Sequence, residues 1–289
     1  MTSRTLIRAV PSLPTSDGAG VKLRRGLGQP PLARHDPFLM LDHFSTDNAD
    51  DYIAGFPSHP HRGFETVTYM LEGHMRHEDH MGHVGDLKSG GVQWMTAGRG
   101  VIHSEMPQQE AGRMRGFQLW INLPASEKMK PAAYRDIPAS EIPRVALPGG
   151  GVAKVVAGTL EVEGRATAGP IQGLATAPLY VDLELPAEAS VTVPVTPGHN
   201  AFLYAFEGSV DVGPAGSART VQTHHAGMLS DGDDVTLNGG PAGGRVLLLA
   251  GRPLREPIVQ WGPFVMNTRE EIEQAIRDYQ SGRLTDAAA

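Results

Sequence analysis

The chain has 289 residues, with 35 Gly, 23 Pro, 20% charged residues and no Cys. Its formal net charge is −7, from 25 Lys and Arg against 32 Asp and Glu. Disulfides, thiol nucleophiles and iron–sulfur clusters are thereby excluded, and an acidic chain with no basic stretch argues against direct nucleic-acid binding.

At roughly 100–200 residues per domain, the length predicts two domains. Abundant Gly and Pro with few charges predict short strands and tight turns rather than a helical bundle. Residues 1–10 hold two Arg and no long apolar core, so no secretory signal is expected. No apolar run approaches the ~18 residues that cross a bilayer. The expectation is a cytoplasmic, monomeric protein with no membrane contact. Without Cys, any metal site must be built from His and carboxylates.

In chain order, Pro37-Phe38-Leu39-Met40-Leu41 predicts a buried strand within 33–44, and Gly55 and Pro57 interrupt the chain after it. Thr66-Val67-Thr68-Tyr69-Met70-Leu71 is β-branched and aromatic, so it predicts a strand closed by Glu72-Gly73. Val92–Met95, Val101–Glu105 and Gly116–Leu123 predict further strands, the last ending at Pro124. The proline-bearing stretch 125–143 reads as a linker, which divides the chain into 1–140 and 141–289. A second strand-rich block comes next, with Leu179–Leu185 alternating cleanly, Ala201–Phe206 ending at Glu207-Gly208, and Arg245–Ala250. Near the C-terminus, Asn267 or Thr268 can cap a helix whose first turn carries Glu270 and Glu271, with Ile272, Ile276 and Tyr279 on one face and Gly282 at its end. That face is expected to dock on a β-domain. Aligning Glu72-Gly73 with Glu207-Gly208 suggests a weak internal repeat, which sets Pro194 opposite His59 and Thr196 opposite His61.

Of the twelve His, nine lie at or before position 103. In His59-Pro60-His61 the two imidazoles are i and i+2, so on a strand they share a face. Pro60 stiffens the pair. His103-Ser104-Glu105 repeats the spacing and adds a carboxylate. If the two strands are neighbours, the four groups converge on one ion, a donor set that suits Fe(II), Mn, Ni, Cu or Zn. His74, His77, His80 and His83 surround a hairpin tip near Asp79–Gly82 and are expected to be solvated. His224-His225 is expected to be exposed, Gly98-Arg99-Gly100 to be a simple turn, and Trp94, Trp120 and Trp261 to be packing residues.

Two long segments carry a specific resemblance. Phe56-Pro57-Ser58-His59-Pro60-His61-Arg62-Gly63-Phe64-Glu65-Thr66-Val67 resembles a hallmark of the pirin family of the cupin superfamily. Gln93-Trp94-Met95-Thr96-Ala97-Gly98-Arg99-Gly100-Val101-Ile102-His103-Ser104-Glu105-Met106-Pro107 resembles its second hallmark. His77-Glu78-Asp79 and Gly116–Pro124 are similar to further pirin segments. The likeness covers most of 33–143 and more loosely the rest. It implies an all-β bicupin: two stacked cupin β-sandwiches, the N-terminal one holding metal, the C-terminal one without metal and carrying the tail helix. It implies His59, His61, His103 and Glu105 as ligands of Fe(II) or another divalent transition metal. Glu65 sits where the general cupin motif places a ligand, but by the pirin pattern Glu105 takes that role and Glu65 only orients a neighbour.

The activity so implied is that of a quercetinase-type dioxygenase acting on an aromatic, flavonol-like small molecule and O₂, with Glu105 also taking the substrate proton. The alternative is a redox-sensitive iron protein that regulates a transcription factor or metabolic enzyme by binding it. A weaker third reading is a vestigial detoxifying activity with no single substrate.

Overall fold

Runs rich in β-branched and aromatic residues between glycine turns drive the backbone to strands, some with one face in and one out, as in Val84–Lys88, and others buried on both faces, as in Phe64–Glu72. The computed structural model describes residues 2–30, 32–214 and 216–286. Among these, strands dominate, and the one α-helix is Arg269–Gln280. The chain forms two compact units. One comprises Met1–Leu13, Gly26–Pro37 and Ser140–Pro253, the other Pro14–Arg25, Phe38–Ala139 and Leu254–Ala289.

The second unit carries both hallmark segments. Its larger sheet has seven antiparallel strands, in the spatial order Ala133–Ile137, Val92–Thr96, Phe64–Glu72, Met114–Asn122, Phe38–Thr46, Val21–Leu27 and Leu13–Asp17. Its smaller sheet has four, in the order Phe56–His61, Val101–Pro107, His74–Asp79 and Val84–Lys88. Phe44, Met70 and Met114 from the first sheet pack with Met75 and Leu87 from the second, which makes the unit a sandwich.

Residues 125–143 are not a free linker. Ala133–Ile137 pairs with Val92–Thr96 as an edge strand of the seven-stranded sheet. Pro131 and Pro138 bracket this strand rather than forbid it, and an edge is where proline is tolerated. In the same segment Lys128 is 1% exposed, and its Nζ donates to Gly63 O at 2.7 Å, Asn122 Oδ1 at 2.6 Å and Val265 O at 3.0 Å.

The C-terminal helix belongs to this unit. Thr268 Oγ1 accepts from Glu271 N while Glu271 Oε2 accepts from Thr268 N, a reciprocal cap that fixes the first turn. Its buried face is Ile272 and Ala275, in a cluster with Phe264, Met266 and Leu284 that Ile102 and Ile276 partly cover. Tyr279 differs from the expectation: it is 41% exposed, at the edge of the cluster, its ring 6.3 Å from that of Phe264.

The first unit is built on a nine-stranded sheet whose core includes Val181, Leu183, Leu203, Val246 and Leu248. Leu6–Pro11 pairs with His225–Leu229 in this sheet, so the start of the chain lies here, whereas the terminal helix lies in the other unit. Position 140 is thus one of several points at which the chain passes between units. Glu207-Gly208, expected to end a strand, lies within the long strand Asn200–Val212. Gly208, at φ +56°, absorbs a register irregularity, and the strand continues beyond it.

Candidate metal centre

The strands Phe56–His61 and Val101–Pro107 are neighbours and antiparallel, with His61 opposite Val101, Pro60 opposite Ile102 and His59 opposite His103. Alternation then turns His59, His61 and His103 toward one another. One nitrogen from each ring lies within 4.8 Å of the others. Ring centroids are 4.7 Å apart for His59 and His61, 4.3 Å for His59 and His103, and 5.0 Å for His61 and His103.

The hydrogen bonding of these rings leaves donor atoms free. His59 Nδ1 lies 2.8 Å from Pro57 O, so Nδ1 carries the hydrogen and Nε2 keeps its lone pair. His61 Nδ1 and His103 Nε2 are buried and have no hydrogen-bond partner. A buried polar atom without a partner is costly, and a metal ion is a partner that imidazole nitrogens fit. Burial, joined by repulsion from the neighbouring imidazoles, holds His61 and His103 well below the usual imidazole pKa, so both rings are neutral. Neutral imidazole is the ligand form. These three residues could hold a divalent transition metal.

Glu105 is close by but outside that group. Its side chain is buried, and Oε1 accepts from Thr68 Oγ1 at 2.9 Å; the same hydroxyl meets the Gln118 amide at 2.5 Å. The pairing with Phe56–His61 slips between His103 and Glu105 because the Phe56–His61 strand carries an extra residue there, whereas the pairing with His74–Asp79 runs unbroken, so His103 and Glu105 keep one face of their strand. Glu65 is separate again: it lies on the larger sheet, buried, accepting from Thr96 Oγ1 at 2.7 Å, and burial raises its pKa. Phe64 and Trp120 form an aromatic wall beside His61, at 5.1 and 5.3 Å between centroids.

One expectation about the remaining histidines is overturned. His80 is exposed, and His74 pairs with Asp86 at 2.9 Å, but His77 is only 2% exposed, its Nδ1 3.3 Å from His103 Nδ1. A hairpin tip at Asp79–Gly82 suggested that all four are solvated, but strand parity turns Met75 and His77 inward together.

In the first unit, Pro194 and Thr196 line a cavity of about 270 Å³ with Gln172, Leu179 and His199. Among the described residues, His59, His61 and His103 form the only group of three or more such side chains close enough to share an ion.

Comparison with known proteins agrees with this architecture. A family model for pirin matches residues 20–121, and one for the pirin C-terminal cupin domain matches residues 180–285. A Pseudomonas aeruginosa protein provisionally named quercetin 2,3-dioxygenase is 56% identical, over 94% of this chain and 94% of its own. Human pirin is 41% identical, over 97% of this chain and 94% of its own. The crystal structure of a quercetin 2,3-dioxygenase from Acinetobacter baumannii aligns with a TM-score of 0.87 at 33% identity, covering 98% of this chain and 99% of that one.

Proposed function

The chain belongs to the pirin family, with its two cupin-type domains and short C-terminal helix, and from that premise we propose that it is a metal-dependent dioxygenase of the quercetinase type. The observation that carries the reading is the convergence of His59, His61 and His103, two of them presenting buried nitrogens that no protein group satisfies. In this reading those three residues and Glu105 hold Fe(II) or a related divalent ion. The bound metal would supply Lewis acidity toward a substrate oxyanion and the redox capacity that O₂ chemistry needs.

The protein's own groups do the rest. Glu105 is the basic group beside the histidines that can accept a proton from a substrate hydroxyl, and Thr68 orients its carboxylate. Trp120, partly exposed and backed by the buried Phe64, offers an apolar aromatic face for a planar substrate such as a flavonol. The neutral imidazoles stay fixed on paired strands, so ordering the site requires little rearrangement. The names of the similar dioxygenases support the substrate class.

The test is O₂ uptake and bleaching of flavonol absorbance by iron-loaded protein across a substrate panel. The reading expects both, dependent on the metal. Full metal occupancy with neither flavonol binding nor O₂ uptake would refute the enzyme reading and leave a protein-binding role for the metal-loaded chain.

A further inference from the structure

His77 is a buried imidazole that the proposed chemistry leaves unused. It sits on the strand His74–Asp79, whose partner strand places Glu105 directly opposite it and His103 opposite Asp79. Its ring is clamped. Tyr134 lies on it at 4.2 Å between centroids with 16° between planes, and the Tyr134 hydroxyl donates to Asp136 Oδ1 at 2.6 Å. The residue opposite His77 on the next strand is Gly85, where a Cβ would stand 2.0 Å from the Tyr134 hydroxyl. Glycine at that position is what lets the tyrosine reach the histidine.

The hydrogen bonds around His77 form a chain with a direction. The Asp79 side chain is buried at the turn. Its Oδ1 accepts from Met81 N at 2.9 Å and His83 N at 3.1 Å, and its Oδ2 meets His83 Nδ1 at 2.9 Å and His77 Nε2 at 3.4 Å. An ionised carboxylate only accepts, so His77 Nε2 must carry a hydrogen. With its single hydrogen on Nε2, the ring has its lone pair on Nδ1. That atom faces His103 Nδ1 at 3.3 Å, so His103 Nδ1 is the donor. The hydrogen of His103 is thereby used up on Nδ1, and Nε2 is left as a bare lone pair. His103 Nε2 is the buried nitrogen without a partner.

We propose that His77, held by Asp79 and stacked on Tyr134, is a positioning residue that fixes His103 as the Nδ1–H tautomer and so presents Nε2 to the metal. The proposal rests on the metal reading above for its consequence, but the tautomer itself needs no metal. Outer partners of this kind orient a ligating imidazole and raise its basicity. The opposite arrangement, with His77 doubly protonated and donating, would put the hydrogen on His103 Nε2 and remove the lone pair.

The experiment combines two measurements. Histidine-selective ¹⁵N NMR of the metal-free protein at neutral pH reads the tautomer of His103, and competition against a chelator reads the affinity for Fe(II), or for Zn(II) as a redox-inert probe. Two variants separate hydrogen bonding from packing. His77→Phe keeps a flat ring under Tyr134 and removes both nitrogens. His77→Gln loses the ring but restores an acceptor. The expected result is the Nδ1–H form of His103 in the native protein, a mixture in His77→Phe with about 10–100-fold weaker metal binding, and substantial recovery in His77→Gln. A packing role predicts the reverse order, with His77→Phe near native and His77→Gln impaired, and that order would overturn the proposal. So would an Nε2–H signal for His103 in the native metal-free protein. A native protein that binds no metal would defeat the metal reading, while the spectrum still decides the tautomer.

Discussion

The two units both bury strand-rich cores, one on a nine-stranded sheet and the other between sheets of seven and four strands, and they differ in which side chains stand at one aligned place. In the unit of Phe38–Ala139, a strand enters the sandwich with His59-Pro60-His61, and a neighbouring strand adds His103. At the aligned place in the other unit the strand Ser190–Pro194 ends in Pro194, and Thr196 lies just beyond it. Both border a cavity, but proline has no donor atom and a threonine hydroxyl is a poor ligand for a transition metal. The difference teaches that the fold supplies the position and the side chains supply the chemistry. A cupin-type sheet without imidazoles is still a well-packed sheet, as the buried Val181, Leu203 and Leu248 show.

The largest expected effect breaks the comparison at its chemical end. Glu105→Gln keeps the volume and removes the base, so flavonol turnover by iron-loaded protein should fall by about 10²–10⁴ at equal metal content. A rate within a few-fold of native would show that the proton goes elsewhere. The next effect is on stability. Truncation after Pro263 removes all five buried members of the cluster that adjoins Ile102, namely Phe264, Met266, Ile272, Ala275 and Leu284, and takes Asp278 Oδ2 from Arg62 Nη1, a contact of 2.7 Å. Loss of that burial should cost at least about 3 kcal/mol, seen as a lower denaturant midpoint. Because Ile102 and Arg62 flank His103 and His61, metal retention should fall as well. An unchanged midpoint would make the helix an appendage.

Lys128→Met should cost about 2 kcal/mol, since it leaves three buried acceptors without their donor. The pH dependence gives a second handle. Burial pushes Lys128 down to about 8 from 10.5. Between those values the unfolded chain binds more protons than the native one, so this group's contribution to stability rises with pH there and is constant below. Denaturant melts across that range should lose this upward component in Lys128→Met, and an identical pH profile would remove Lys128 from the account. The smallest effect is the control on the other unit. Thr196 and His199 line the cavity there, so Thr196→Ala and His199→Ala should leave metal stoichiometry unchanged; a lost equivalent in either would place the ion in the wrong unit.

Much of the site was legible in the sequence because strand parity is a strong rule. Residues i and i+2 share a face, so His59 with His61 needed only the assumption of a strand, and the neighbour bearing His103 emerged from the repeated spacing. His77 was not legible. Its burial depends on Gly85 and Tyr134, neither of which marks itself as a partner, and a histidine close to a hairpin tip looks solvated. Lys128 was hidden for a related reason: a lysine in a proline-bearing stretch looks solvated until Gly63, Asn122 and Val265 are brought around it. The pairing of Leu6–Pro11 with His225–Leu229 was equally invisible, because hydrophobic alternation specifies a face and not a partner.

The most direct test of the central claim is anomalous diffraction at the iron edge on crystals of iron-loaded protein, paired with elemental analysis of the native chain and of His103→Ala. The account predicts one equivalent per native chain, a single anomalous peak among His59, His61 and His103, and a sub-stoichiometric content in the variant. A peak in the cavity beside Pro194 and Thr196, or a full equivalent retained by correctly folded His103→Ala, would contradict it.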